Sequence, residues 1–107
     1  MDWFDILAHC AGFEWDAHNA EKNWLRHGVS PEECEQIFFN RPLVAGDDVM
    51  HSAKETRYYV LGITDSERML FVAFTVRSKK IRVITARDAN SKERKVYESF
   101  KDDEKNT

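Results

Sequence analysis

The chain has 107 residues, of which 42% are hydrophobic and 33% are charged, and its formal net charge at pH 7 is −3. This length and apolar content suit one domain with a hydrophobic core, while the whole-chain charge does not indicate a nucleic-acid binder. No apolar run is long enough to span a membrane, and the apolar start of the chain lacks the basic region of a signal peptide. The composition therefore predicts neither a membrane segment nor a signal peptide.

The charges are unevenly distributed along the chain. Residues 76–95 contain eight Lys or Arg against two acidic residues, which leaves an excess of six positive charges. This segment is suited to a polyanionic partner. Cys10 and Cys34 lack the spacing of metal ligands and are too few for a disulfide scaffold, so we expect reduced thiols, no metal and a cytoplasmic location.

Two helices are predicted near the start of the chain. Residues 13–28 predict the first, because Asp16 can act as its N-cap and Gly28 follows its last turn. The sequence SPEE at 30–33 is a capping box with proline at the first helical position, which predicts a second helix ending near Phe39.

Four strands and a last helix follow. Segments rich in Val, Ile, Tyr and Phe predict the strands at residues 43–49, 57–64, 69–77 and 80–87. The connectors between the last three are short, so these strands should form an antiparallel meander. Asn90 or Ser91 can cap the final helix, which carries Val96, Tyr97 and Phe100 along one side.

This order predicts an α+β fold with two N-terminal helices, an antiparallel sheet of about four strands and a C-terminal helix. We expect the helices to cover one sheet face and to leave the other for a ligand. The domain should span residues 13–101, between a variable N-terminal extension at 1–12 and a frayed tail at 102–107.

Several segments together resemble the BrnT toxins, a family within the RelE-like superfamily. They are FEWDAHNAEKNWLRHGVSPEE at 13–33, FFNRPL at 38–43, HSAKETRYYVLGIT at 51–64 and FVAFTVRSKKIRVITARDANSKERKVYE at 71–98. The order and spacing of these segments make the resemblance specific.

The resemblance implies the toxin of a bacterial type II toxin–antitoxin system with a RelE-like fold. It implies a metal-independent RNA endonuclease, without a cofactor, that arrests growth by cutting cellular RNA. It also implies a cognate antitoxin with a dimeric DNA-binding domain, so that operator DNA is contacted only through the antitoxin. A second hypothesis is a non-catalytic module of the same fold that binds nucleic acid or protein.

Three arginines at strand ends, Arg57, Arg77 and Arg87, are candidate catalytic residues, because a guanidinium group can bind two phosphate oxygens at once. The meander brings the start of one strand beside the end of the next, so Arg57 and Arg77 should be neighbours. Arg82 and Arg87 differ in parity, and a regular strand would send them to opposite faces. Either one of them is structural or a bulge intervenes.

His27 and Lys22 are the other candidate catalytic residues. His27 can act as a general acid or base, although a histidine in the last turn of a helix also stabilises the helix dipole. Lys22 can reach a phosphate, although a lysine on an amphipathic helix more often faces solvent.

Lys79, Lys80 and Arg82 surround a tight hairpin and are candidates for binding the RNA backbone. Lysines at such a hairpin also protect a sheet from aggregation, which is the alternative interpretation. Tyr58 and Tyr59 should point to opposite faces, one in the core and the other available to stack on a base.

Overall fold

The computed structural model describes residues 7–51 and 54–105, and the side chains of residues 7–50 and 54–101. The helices are α1 (Ala17–His27), α2 (Pro31–Phe39) and α3 (Ser91–Lys105), with a short 3₁₀ turn at Val49–His51. The strands are β1 (Gly12–Glu14), β2 (Val44–Asp47), β3 (Tyr58–Ile63), β4 (Met69–Arg77) and β5 (Lys80–Asp88). No helix in these residues is both long enough and apolar enough to cross a membrane.

The sheet has five strands in the order β1-β5-β4-β3-β2. The α+β class and the antiparallel meander β3-β4-β5 are confirmed, and β2 occupies the centre of the strand predicted at residues 43–49. The predicted antiparallel sheet of about four strands needs one correction, because a fifth strand, β1, pairs in parallel with β5, Gly12 lying opposite Lys80. Residues 12–14 had been divided between the predicted extension and the first helix.

Helix α1 lies along the edge of β5 beyond the point where β1 ends. The Asp16 carboxylate accepts hydrogen bonds from the backbone N–H groups of His18 and Asn19, at 2.8 and 3.1 Å. The helix ends at Gly28, whose φ of 62° lies in the left-handed region that glycine adopts without strain. Both predicted boundary residues of this helix, the Asp16 N-cap and the terminating Gly28, are therefore confirmed.

Helix α2 packs on one face of the sheet and forms the main core. Its capping box is present, with Ser30 and Glu33 exchanging hydrogen bonds as predicted. Ile37 and Phe38 are buried against residues of the central strands: Val60, Leu70, Val72, Phe74, Ile81 and Val83. Phe38 contacts Phe74 edge to face, with ring centroids 5.4 Å apart, so aromatic packing joins helix to sheet.

Helix α3 packs on the opposite face, so the expectation that all helices share one face is wrong. Tyr97 is buried there with Leu61 and Met69, and its hydroxyl donates to the carbonyl oxygen of Pro42 at 2.8 Å. The sequence pattern predicts the apolar side of this helix, but it does not predict the sheet face, formed by β3 and β4, on which that side packs. The helix also continues past residue 101 to Lys105.

Candidate nucleic-acid interface

A β-bulge in β5 decides which way its arginines point. Phe74 pairs with Val83 and Ala73 pairs with Thr85, so Ile84 is an extra residue without a partner in the register. Beyond the bulge the parity of β5 changes. Arg82 and Arg87 consequently lie on the same sheet face, opposite Thr75 and Phe71 of β4. Of the two explanations that the sequence left open, the bulge is the one observed.

A polar cleft occupies this face at the end of the sheet away from α3. Its lining residues come from α1, the segment before β3, β4 and β5: Asp16, Asn19, Glu55, Arg57, Thr75, Arg77, Arg82 and Ile84. The predicted neighbours Arg57 and Arg77 both line it, as does Arg82. We call Lys22, Arg57, Arg77 and Arg82 the basic cluster.

Lys22 joins the cluster from α1. Its ammonium group donates to the Ile84 carbonyl oxygen at 3.1 Å, which is the carbonyl of the bulged residue. Its pKa is lowered, first because the side chain is partly removed from water and then because the charges of Arg26 and Arg57 disfavour a further cation. Lys22 is therefore the member of the basic cluster whose proton is most easily lost.

Carboxylates balance part of this positive charge. Arg77 donates from Nε and Nη2 to the two carboxylate oxygens of Glu55, at 2.7 and 2.9 Å. Arg82 lies 3.5 Å from Asp16 and 3.8 Å from Glu14, measured between guanidinium nitrogen and carboxylate oxygen. The cleft is thus lined by cations and carboxylates together.

Asn23 and Glu55 also contribute to the site. Asn23 is buried, its Oδ1 accepts from the Ala86 N–H at 3.2 Å, and its Nδ2 lies 3.5 Å from the Ile84 carbonyl oxygen. This side chain fastens α1 beside the bulge and so positions Lys22. In the sequence, Asn23 can be found as a polar residue at an inward position of the helix. Glu55 can be found as a carboxylate close to Arg57.

Arg87 and His27 are not brought to the basic cluster. Arg87 lies at the other end of β5, where it donates to both carboxylate oxygens of Glu93 at 2.8 and 3.0 Å and its guanidinium stacks 4.2 Å from the Phe71 ring centroid. His27 ends α1 near Asp88, and its carbonyl oxygen accepts a hydrogen bond from Arg68. Arg87 is a candidate because it ends its strand, and His27 because an imidazole can act as acid or base, but both lie at the end of β5 away from the basic cluster.

Lys79 and Lys80 flank the cleft at the β4-β5 hairpin. Ser78 and Lys79 have φ values of 50° and 64°, the two positive values of a type I′ turn, so the tight hairpin is confirmed. Lys80 lies opposite Arg77 in the register, and both lysines are exposed. Their position extends the positive surface from the basic cluster along the sheet edge.

The two tyrosines of β3 point to opposite faces, as predicted. Tyr58 packs against the main core beside Phe74, with ring centroids 5.6 Å apart. Tyr59 lies on the face of the cleft and stacks on Phe71 at 5.7 Å and an interplanar angle of 17°. Tyr58 is therefore the core residue of the pair. In the part of the chain that the structure describes, no group of three or more His, Cys, Asp or Glu side chains could hold a metal ion.

A small α+β domain whose mixed sheet presents a basic array of side chains belongs to the class of proteins that can contact a phosphate backbone. The family model described as ribonuclease toxin, BrnT, of type II toxin-antitoxin system matches residues 15–93. The chain belongs to this family. It is therefore a ribonuclease toxin of a type II system, for which an antitoxin is the expected partner.

The fold is similar to that of a solved relative. The match is the ribonuclease toxin BrnT of Brucella abortus, with a TM-score of 0.54 and 19% sequence identity. It covers 75% of this chain and 97% of that one. At this identity the likeness supports the fold alone. Comparison with curated proteins gave no significant match.

Proposed function

We propose that this toxin is a metal-independent endoribonuclease that cuts cellular RNA at the basic cluster. The observation that carries the proposal is the convergence of Lys22, Arg57, Arg77 and Arg82 from separate elements on one end of a sheet face. Separate elements place these cations at different angles around a shared cleft. Such an array can surround a phosphodiester group.

Guanidinium groups supply the electrostatic part of the reaction. Negative charge grows on the non-bridging phosphoryl oxygens as the 2′-oxygen attacks phosphorus, and preorganised cations stabilise it. Arg57, Arg77 and Arg82 take this role. Because they retain their charge at any physiological pH, they can act where other nucleases use a divalent cation.

Lys22 acts as the general acid, which donates a proton to the leaving 5′-oxygen. Partial burial and the neighbouring charges of Arg26 and Arg57 lower its pKa. An ammonium group whose pKa is closer to neutrality is a stronger acid and transfers its proton more readily. The Ile84 carbonyl oxygen holds the group in place at 3.1 Å.

Lys79 and Lys80 bind the RNA backbone beside the cleft without reading its sequence. Both side chains are exposed at the hairpin that begins β5. Arg87 and His27 lie outside the basic cluster, and the proposal assigns them no step of the reaction.

The antitoxin neutralises the toxin by covering the basic cluster with an acidic or amphipathic segment, which excludes RNA. A dimeric DNA-binding domain on the antitoxin then contacts the operator, while the toxin itself does not touch DNA. Both activities take place in the cytoplasm. The supporting feature is the local positive charge of residues 76–95 in a chain whose net charge is −3.

Induced expression in a host without the antitoxin tests the proposal. Wild type should arrest growth and fragment cellular RNA, whereas the Arg57→Ala/Arg77→Ala variant should do neither at an equal soluble level. A matched control is Arg41→Ala/Arg94→Ala, which removes the same charge outside the basic cluster and should remain toxic. If well-folded wild type leaves RNA intact, the protein is instead a binding module.

A further inference from the structure

One carboxylate lies directly beside the basic cluster and forms an ion pair with one of its members. Glu55 precedes β3, and its side chain is 35% exposed at the edge of the cleft. It receives two hydrogen bonds from Arg77, and the charges of Arg82 and Arg57 also act on it. Cations from the segment before β3, from β4 and from β5 therefore face this group.

The Arg77–Glu55 pair uses one side of the Arg77 guanidinium. Glu55 occupies the Nε and Nη2 side of the guanidinium, at 2.7 and 2.9 Å. The Nη1 side of an arginine carries further N–H donors that point in another direction. A phosphodiester bound there would lie next to the Glu55 carboxylate, so Arg77 can hold the base and the reacting group side by side.

The other carboxylates of the cleft are less suited to proton transfer. Asp16 caps α1, and its Oδ1 accepts two backbone N–H groups. Glu14 lies on β1, 3.8 Å from Arg82, and its charge also acts on Arg77. Glu55 is the cleft carboxylate that faces both Arg57 and Arg77.

We propose that Glu55 is the general base of RNA cleavage, an inference that rests on the proposed function. The Glu55 carboxylate takes the proton of the 2′-hydroxyl as the 2′-oxygen forms a bond to phosphorus. The bond from phosphorus to the 5′-oxygen breaks, and that oxygen takes a proton from the Lys22 ammonium group. The products are a 2′,3′-cyclic phosphate and a 5′-hydroxyl, and no oxidant, reductant or metal enters the balance.

The protonation state of Glu55 at neutral pH is the one that a general base requires. The hydrogen bonds from Arg77 lower its pKa most strongly. Partial burial opposes this effect, and the charges of Arg77, Arg82 and Arg57 add to it. The group is therefore ionised and able to accept a proton throughout the neutral range. Cleavage should fall in acid, as the pH drops through this lowered pKa, and also in alkali, as Lys22 loses the proton that it donates.

Cleavage of a labelled oligoribonucleotide by purified variants tests the inference. We expect Glu55→Gln to lower kcat about a hundredfold or more, the range typical of a lost general base, with little change in KM. Glu55→Asp should retain part of the activity, and added formate should restore activity to Glu55→Ala. Glu98→Gln, an exposed carboxylate on α3, is the matched control and should cleave like wild type.

The outcomes separate this inference from the proposed function. If wild type cleaves and Glu55→Gln cleaves within about threefold of it, Glu55 is not the base while the nuclease proposal stands. A rise in KM with unchanged kcat would also overturn the inference, because Glu55 would then only position Arg77. If folded wild type cleaves no RNA, the proposed function itself fails and the role of Glu55 falls with it.

Discussion

At the scale of single residues, the basic cluster depends on Asn23, which holds α1 beside the bulge in β5. Asn23 is 2% exposed and lies on α1 facing the edge of β5. It binds the backbone at the bulge and just beyond it, lying within hydrogen-bond distance of the Ile84 carbonyl oxygen and accepting from the Ala86 N–H. A side-chain amide thus takes the place of a neighbouring strand where β1 has ended.

Replacement of Asn23 by Ala should destabilise the protein even though alanine favours a helix. The Ala86 N–H would lose its acceptor in a buried place, at a cost of about 1–3 kcal/mol. Urea denaturation measures this loss. His18→Ala, an exposed position on the same helix, is the control, and an equal stability of the Asn23 and His18 variants would show that the amide contributes nothing.

Some residue positions could be predicted from the sequence and others could not. The proximity of Arg57 and Arg77 follows from short connectors, because strand order then fixes which ends meet. The bulge at Ile84 depends on how β5 pairs with β4, which no local pattern reveals. Glu55 stands out in the sequence only as part of a polar stretch, because its ion pair with Arg77 joins residues that are distant in sequence.

At the scale of elements, Arg68 joins parts of the fold that meet at the start of β4. It donates to the His27 and Gly28 carbonyl oxygens at the end of α1 and to the carboxylates of Glu33 and Asp88. Arg68 lowers the pKa of Asp88, mainly by hydrogen bonding. Burial alone would raise the pKa of Glu33, but hydrogen bonds from Ser30 and Arg68 outweigh it.

Arg68→Met should therefore cost stability in a pH-dependent way. Both carboxyl groups have lowered pKa values in the folded state, so the stability they contribute is present at neutral pH and is lost as pH falls through those values. The wild type should exceed the variant by about 2 kcal/mol at pH 7, with the gap narrowing towards pH 3. Urea denaturation across this range checks it, and a gap independent of pH would contradict the ionic account.

Local signals explain which elements the sequence could predict. The ends of α1 and α2 were predicted because the Asp16 cap, the Gly28 stop and the capping box act within a few residues. Strand β1 was missed because three residues carry no period, and its partner β5 is distant in sequence. The placement of α3 on the second face was missed because amphipathicity gives a stripe but not the surface it meets.

At the scale of the whole molecule, the sign of the charge differs between the chain and its candidate site. The net charge is −3, yet the hairpin and the basic cluster lie together at one end of the sheet. Such a local field attracts a polyanion whatever the average charge. Because phosphate binding releases counterions, RNA affinity should depend strongly on salt.

The variant Lys79→Asn/Lys80→Gln should bind RNA more weakly and with a shallower dependence on salt. Each lost phosphate contact reduces the slope of log K against log salt by about 0.7 for single strands. Fluorescence anisotropy with a labelled oligoribonucleotide at several salt concentrations measures the slope. Lys92→Gln/Lys95→Gln on α3 is the control, and a slope unchanged by the hairpin variant would exclude these lysines from the interface.

The central claim is that the basic cluster cleaves RNA without a metal ion. The most direct measurement incubates purified wild type and Arg57→Ala/Arg77→Ala with a labelled oligoribonucleotide in excess EDTA and identifies the product ends. We expect wild type to give 2′,3′-cyclic phosphate ends, and the variant to cleave at least about a hundredfold more slowly. Cleavage that EDTA abolishes and Mg²⁺ restores, or equal rates for the two proteins, would contradict the account.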